Sequence, residues 1–381
     1  MSCEEKEAIL VLADGKKFYG KGFGAEGIEV GEVVFNTSLY GYQEILTDPS
    51  YAGQLLVFTT PHIGNVGCNY LDCESDKIYA GGVIVRELSP IVNNFRAEQT
   101  LDSFLKKHQR LGVSGIDTRE LVLHLREKGS LMGALAVGNN INEDDLVDRA
   151  RLAGSMEGRD YVSLVTCKQP YRFNQLPPTL DNGFKERTVS DAELATRPHC
   201  VVIDCGVKVA ILRLLVASGF KISVVPATFR AEQIFSMKPD GIFLSNGPGD
   251  PATLGYLIDT VRELLVKLPI FGICLGHQIL SQVMGAKTYK LKFGHHGGNH
   301  PVKNEKIGKV EITVQNHGFA VDRSSLPKDL KITHRNLYDQ TIEGVDAPDC
   351  RAFAVQYHPE SSPGPRDSLY LFDAFYKMVA L

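Results

Sequence analysis

Gly272-Ile273-Cys274-Leu275-Gly276-His277-Gln278 sets one cysteine between two glycines. It follows the apolar run Leu268-Pro269-Ile270-Phe271 and precedes a helix-like segment over 278–284. Gly-x-Cys-x-Gly in that setting is the thiol version of the sharp strand-to-helix turn that presents a nucleophile. The turn needs small neighbours, because the nucleophile's backbone is strained and other chain passes close to it. The sulfur is pushed out over the sheet edge, near the N-terminus of the next helix, whose positive dipole end favours a thiolate. A buried structural cysteine needs none of this, so Cys274 is the candidate nucleophile.

Working outward, the chain from His199 onward alternates strand and helix. Strands are expected at 201–203, 222–225, 241–244 and 270–271, with helices over 209–217, from 231, and over 257–267. Continuous apolar strands separated by amphipathic helices indicate a mostly parallel open sheet covered on both faces. Active sites of such sheets lie at the carboxyl ends of strands, where Cys274 falls. Near the C-terminus, Ala352-Phe353-Ala354-Val355-Gln356-Tyr357 is strand-like and Pro359 ends it, which puts His358 at another strand's carboxyl end. His358 and Glu360 are two apart, so on extended chain both side chains point the same way. A carboxylate behind an imidazole holds its tautomer while the other ring nitrogen faces the nucleophile. Ser245-Asn246-Gly247-Pro248-Gly249-Asp250-Pro251 also follows a strand; read alone it is a tight Pro/Gly turn. Beside a nucleophile, the Gly247 and Leu275 N–H groups would make an oxyanion hole.

The first ~150 residues follow a different grammar, with short strands and a few helices in no regular βαβ rhythm. Strands over 8–13 and 17–22 flank Asp14-Gly15, a hairpin signal, and others are expected at 32–36, 55–59, 82–86 and 131–137. Asp117-Thr118-Arg119-Glu120 resembles a capping box opening a helix over 121–127. We therefore expect a smaller α+β domain over 1–152, a linker or crossover over 153–195, rich in turn signals, and the α/β domain over 196–381.

Composition bounds the function. The chain has 381 residues, 43% hydrophobic and 23% charged, with no tryptophan and a net charge of -4. Nothing there calls for nucleic acid or an anionic membrane as partner. The start, Met1-Ser2-Cys3-Glu4-Glu5-Lys6-Glu7, is polar and acidic, unlike a targeting peptide. No apolar run reaches membrane-spanning length. The eight cysteines are scattered without C-x-x-C pairs, which reads as free thiols in a cytoplasmic protein.

With these motifs in order, the sequence resembles the triad-type, class I glutamine amidotransferases: SNGPGDP, GICLGHQ and HPE occur in that family's order over 199–381. The first half narrows the resemblance to the small subunits of carbamoyl-phosphate synthase. It does so through Phe35-Asn36-Thr37-Ser38, the run Gly41-Tyr42-Gln43-Glu44-Ile45-Leu46-Thr47-Asp48-Pro49-Ser50-Tyr51, and Pro61-His62-Ile63-Gly64-Asn65. The stretches 292–301 (KFGHHGGNHP) and Gln315-Asn316-His317-Gly318-Phe319 agree.

The resemblance implies glutamine hydrolysis through a Cys274 thioester, with His358 and Glu360 completing the triad and Gly247 and Leu275 as oxyanion donors. It carries glutamine contacts over to Ser38, Gly247, Gly249, Leu275, Gln278, Asn316, Gly318 and Phe319. Because Ser38 belongs to the first domain, it implies binding in a cleft between domains. It further implies a separate large synthetase subunit that uses ATP, Mg2+ and bicarbonate, no cofactor in this chain, and service to pyrimidine or arginine synthesis.

Other readings meet obstacles. Another amidotransferase of the class, feeding guanylate, anthranilate or cytidylate synthesis, would lack the FNTS and GYQEILTDPSY stretches. Gly22-Phe23-Gly24-Ala25-Glu26-Gly27 matches G-x-G-x-x-G, but no helix follows, so the nucleotide reading fails its context. His295, His296 and His300 lie in what reads as a Gly-rich loop, with no Cys, Asp or Glu nearby in sequence to complete a metal site; no metal is expected. A catalytically silent glutamine-binding scaffold conflicts with the complete Cys274/His358/Glu360 set.

Overall fold

The run Ala8-Ile9-Leu10-Val11-Leu12 is apolar at successive positions, which suits a strand covered on both sides. The computed structural model describes residues 6–380; Cys3 and the acidic start of the chain, Met1 to Glu5, lie outside the described residues. Strand Lys6–Leu12 belongs to a closed barrel. Around the barrel it is followed by Lys17–Gly24, Leu111–Ser114, Gly82–Ile84, Gln54–Phe58, Gly27–Asn36 and Leu131–Val137. Closure leaves none of these strands with a bare edge. Leu10 and Leu12 pack with Val33, Leu55 and Val57 on one face. On the other, Ile9 and Val11 meet Ala134 and Ala136 under Leu146 and Ala150 of helix Glu143–Leu152. The hairpin signal at Asp14-Gly15 is fulfilled, with Val11 opposite Lys17 and Gly15 at φ 93°. Asp117 caps helix Thr118–Lys128, its carboxylate accepting from the Glu120 N–H at 3.0 Å. Gly22 to Gly27 joins strand to strand, with no helix to receive a phosphate. This α+β half is thus a barrel with helices laid on it.

Two compact units divide the chain. The first comprises residues 1–157 and 292–297, the second 158–291 and 298–381. This differs from the expected boundary and from the expected linker over 153–195. Most of that stretch belongs to the second unit, because its short segments are tied there by backbone pairing and side chains. Tyr171–Phe173 adds an antiparallel edge strand, Cys167 N–H donates to Asp204 at 2.7 Å, and Val189 and Leu194 enter the core.

The second unit is built on a ten-stranded sheet. Its central strands, Lys221–Pro226, His199–Asp204, Gly241–Leu244, Ile270–Ile273 and Ala352–Val355, run parallel in that order. Helices cover both faces, as the alternation predicts. Ala231–Ser236, Gly255–Leu265 and Leu275–Val283 pack on one face, Val209–Ala217 and Tyr370–Ala380 on the other. Beyond Ala352–Val355 the sheet continues antiparallel through Ile342–Ala347, Lys331–Asn336, Thr288–Asn304 and Lys309–Val321. Residues 295–300, read from sequence as a glycine-rich loop, are therefore strand. Glycines there lower the propensity without removing the ladder that fixes the backbone.

Phe271 anchors the helix-covered core, stacked on Phe353 at 4.4 Å between centroids and edge-on to Phe243 at 5.2 Å. It is fully buried. Phe271→Ala should destabilise the second unit by about 3–5 kcal/mol, read as a lower urea midpoint for the unfolding phase of that unit. A loss below about 1 kcal/mol would show that the site collapses around the gap.

Candidate active site

Strand Ile270–Ile273 ends one residue before Cys274, and helix Leu275–Val283 begins one residue after it. Cys274 is forced into φ 55°, ψ -102°, a conformation that costs about 1–3 kcal/mol for a non-glycine residue. Two close approaches explain the glycines nearby. A Cβ on Gly276 would sit 2.3 Å from the Leu244 carbonyl oxygen, and one on Gly247 would sit 2.1 Å from that of Cys205. The helix can therefore cross the strand ends only where side chains are absent. Leu275 occupies the first helical position, where backbone N–H groups have no partner within the helix.

The neighbouring parallel strand supplies the histidine. Ile273 pairs with Val355, whose carbonyl oxygen accepts from the Cys274 N–H at 2.9 Å. Two residues beyond Gln356, His358 Nδ1 lies 2.7 Å from Glu360 Oε1, and both residues are buried. Nε2 of His358 is buried. The Cys274 sulfur lies beside that ring and raises its pKa; the thiol's own hydrogen bond, at 3.5 Å, is to the carbonyl oxygen of Asn316. Burial opposes the protonated imidazole, but the Glu360 charge and then the thiol outweigh it, raising the His358 pKa to about 10. Glu360 shows the mirror image. Burial works against its charge, yet Lys208 and then His358 hold its pKa down to about 2.

Lys208 is a member of this chain that sequence reading did not single out. Its ammonium donates to Glu360 Oε1 and to the Ser361 carbonyl oxygen, both at 2.8 Å, and its side chain is 3% exposed. It stands just ahead of helix Val209–Ala217, where the Asn246 side chain accepts from its backbone N–H at 3.3 Å. The available signal was a lone lysine inside Val207-Lys208-Val209-Ala210-Ile211-Leu212, a setting too apolar for a solvated cation.

The other expected residues fall as follows. Gln278 donates through Nε2 to the Phe319 carbonyl oxygen at 2.9 Å and to Gln356 at 3.1 Å. Asn316, Gly318 and Phe319 lie on strand Lys309–Val321, and Lys290 sits 5.1 Å from the centre of the Phe319 ring. Gly249 has φ 90° and passes close to Arg159 and Tyr161. The second unit thus gathers Cys274, His358, Glu360, Gly247, Leu275, Gln278 and Asn316 around one set of strand ends. Ser38 belongs to the first unit, where its N–H donates to Asn36 Oδ1 at 2.7 Å. Of the three histidines weighed as metal ligands, His300 stacks edge-on to Tyr338 and pairs with Asn336 at 3.4 Å. The seven described cysteines are free thiols. No helix among the described residues is long and apolar enough to cross a membrane.

Residues 201–378 match the class I glutamine amidotransferase family, and residues 10–135 match the CPSase domain of the carbamoyl-phosphate synthase small chain. A carbamoyl phosphate synthase small chain from Syntrophotalea carbinolica is 52% identical over 373 residues, covering 98% of each chain. The chain belongs to the carbamoyl phosphate synthase small-chain family. Small chains of the same name from Photorhabdus laumondii and Escherichia coli K12 are 51% and 49% identical, each match covering 98% of this chain and 96% and 97% of theirs. Membership in the small-chain family disposes of the other amidotransferases weighed above, since the match runs through both units.

Lys208→Met should cost about 3–5 kcal/mol at neutral pH, because it removes one of the two cations that hold the buried Glu360 charge. The folded pKa of Glu360, about 2, lies below its ordinary value of ~4.3. Its contribution is thus in place above pH ~4.3 and lost as pH falls through 2. Urea titrations should accordingly show the Lys208→Met deficit narrowing on acidification toward about pH 3; an unchanging deficit would contradict the pairing.

Proposed function

We propose that this chain is the glutaminase subunit of a glutamine-hydrolysing carbamoyl-phosphate synthase. The observation that carries the reading is the juxtaposition of a strained, elbow-mounted Cys274 with the buried His358–Glu360 pair. The Cys274 thiol passes its proton to His358 Nε2 as its sulfur attacks the side-chain amide carbonyl of glutamine. The oxyanion that forms is held by the N–H groups of Gly247 and Leu275, a kind of donor whose removal costs ~10²–10³ in rate. Protonated His358 gives its proton to the departing nitrogen, and ammonia leaves a γ-glutamyl thioester on Cys274. His358, now neutral, takes a proton from water as the water adds to the thioester carbonyl. Glutamate is released, and the proton returns to the cysteine sulfur. Glu360 keeps the imidazole oriented throughout and stabilises its charged form.

Gly249, Gln278, Asn316, Gly318 and Phe319 are the glutamine contacts that the resemblance carries over. The role assigned to Ser38 rests on the resemblance alone. No metal or organic cofactor enters these steps. Ammonia passes to a separate large subunit, which makes carbamoyl phosphate from bicarbonate with ATP and Mg2+ in the cytoplasm, for pyrimidine synthesis, arginine synthesis or both. What supports the partner is the family's designation as a small chain.

The test measures glutamate release from glutamine by the purified chain, with and without a large subunit supplied with ATP and bicarbonate. Stimulated turnover that Cys274→Ser abolishes, with ammonia-dependent synthesis retained, is expected. Loss of ammonia-dependent synthesis as well would overturn the division of labour. Turnover indifferent to the large subunit would point to another acceptor.

A further inference from the structure

Glu311 is a buried carboxylate outside the triad, 5% exposed, on strand Lys309–Val321. Among the described residues no lysine or arginine pairs with it. Its partners are four neutral donors: Tyr357 Oη at 3.2 Å and Ser368 Oγ at 2.5 Å on one oxygen, Tyr370 Oη at 2.9 Å and Asn304 Nδ2 at 3.3 Å on the other. Burial first, and the Glu311 charge second, raise both phenols above their ordinary pKa, so both remain donors. A charge buried without a cation is a poor way to hold strands together, since an apolar side chain would pack there at less desolvation cost. Its use lies in what the donors flank. Tyr357 immediately precedes His358-Pro359-Glu360, and Ser368 and Tyr370 follow it. The same strand holds the His358 backbone, whose N–H donates to the Val314 carbonyl oxygen at 2.8 Å, and receives the Cys274 thiol at Asn316.

We propose that Glu311 is a positioning residue for His358, acting through the Tyr357 hydroxyl. Gripping the chain on both sides of the His-Pro-Glu segment, it fixes where the strand end delivers the imidazole. Alignment of a base with its nucleophile is sensitive to shifts well under an ångström, so loosening this grip slows chemistry without touching substrate contacts. The inference rests on the triad reading given above.

The test uses the small chain assembled with its large subunit and measures glutamine hydrolysis. Tyr357→Phe removes one hydroxyl and keeps the ring. It should lower kcat roughly tenfold with KM nearly unchanged. Glu311→Gln keeps one acceptor oxygen and should fall similarly, and Glu311→Leu further. The Glu311→Gln/Tyr357→Phe double variant should be no slower than the worse single, because both cut one path. A purely structural role would lower the melting temperature and leave kcat alone. Tyr357→Phe that is folded and has wild-type kcat overturns the proposal, and decides it alone if Glu311 variants do not fold. Cys274→Ser runs alongside. If it keeps glutamine turnover, the triad reading fails; if it is inactive while Tyr357→Phe is unimpaired, only the positioning role fails.

Discussion

One buried chain of charge, Lys208 to Glu360 to His358, governs the geometry of the second unit's strand ends. Lys208 follows strand His199–Asp204, whereas His358 and Glu360 follow Ala352–Val355. Two strands, Gly241–Leu244 and Ile270–Ile273, separate them in the sheet. The ion pair therefore reaches over the very turns that carry Gly247 and Cys274. Charges this deep are tolerated only when each meets a partner in good geometry. That requirement ties the loops around the cysteine together as a set.

The parts of this arrangement that depend on local backbone were legible in the sequence. Cys274 and Gly276 belong to a turn that only certain residues can make, and His358 and Glu360 share a strand end with two-residue spacing. Lys208 was not legible as a partner, because its mate is distant in sequence and lysine ordinarily sits in water. Glu311 escaped for a related reason. Strand Lys309–Val321 turns Glu311, Thr313, Gln315 and His317 inward, where Gln315 binds Thr313 at 3.0 Å and His317 at 2.9 Å. An inward polar face erases the alternation by which a half-buried strand is recognised.

The differences between the expected boundaries and the two compact units have a common cause. The stretch 153–195 contributes strands of two or three residues, too short to carry a pattern, and its membership in the second unit is fixed by pairing with Lys221–Pro226 and by Asp204. The antiparallel extension from Thr288 to Ala347 mixes glycine, histidine and asparagine, which propensity assigns to loops. Barrel strands were easier to find because continuous apolar runs are covered on both faces, although closure itself leaves no mark on a linear sequence.

The position of strand Ala352–Val355 in the sheet bears on how the chain is made. It is the last of the described strands in chain order, yet it lies between Ile270–Ile273 and Ile342–Ala347 rather than at an edge. Until it is made, the parallel core ends at a bare apolar strand that leads into Cys274. Such an edge can pair with other chains. The growing chain thus passes through a stage of exposed pairing surface, and the imidazole of His358 arrives with the strand that covers Cys274.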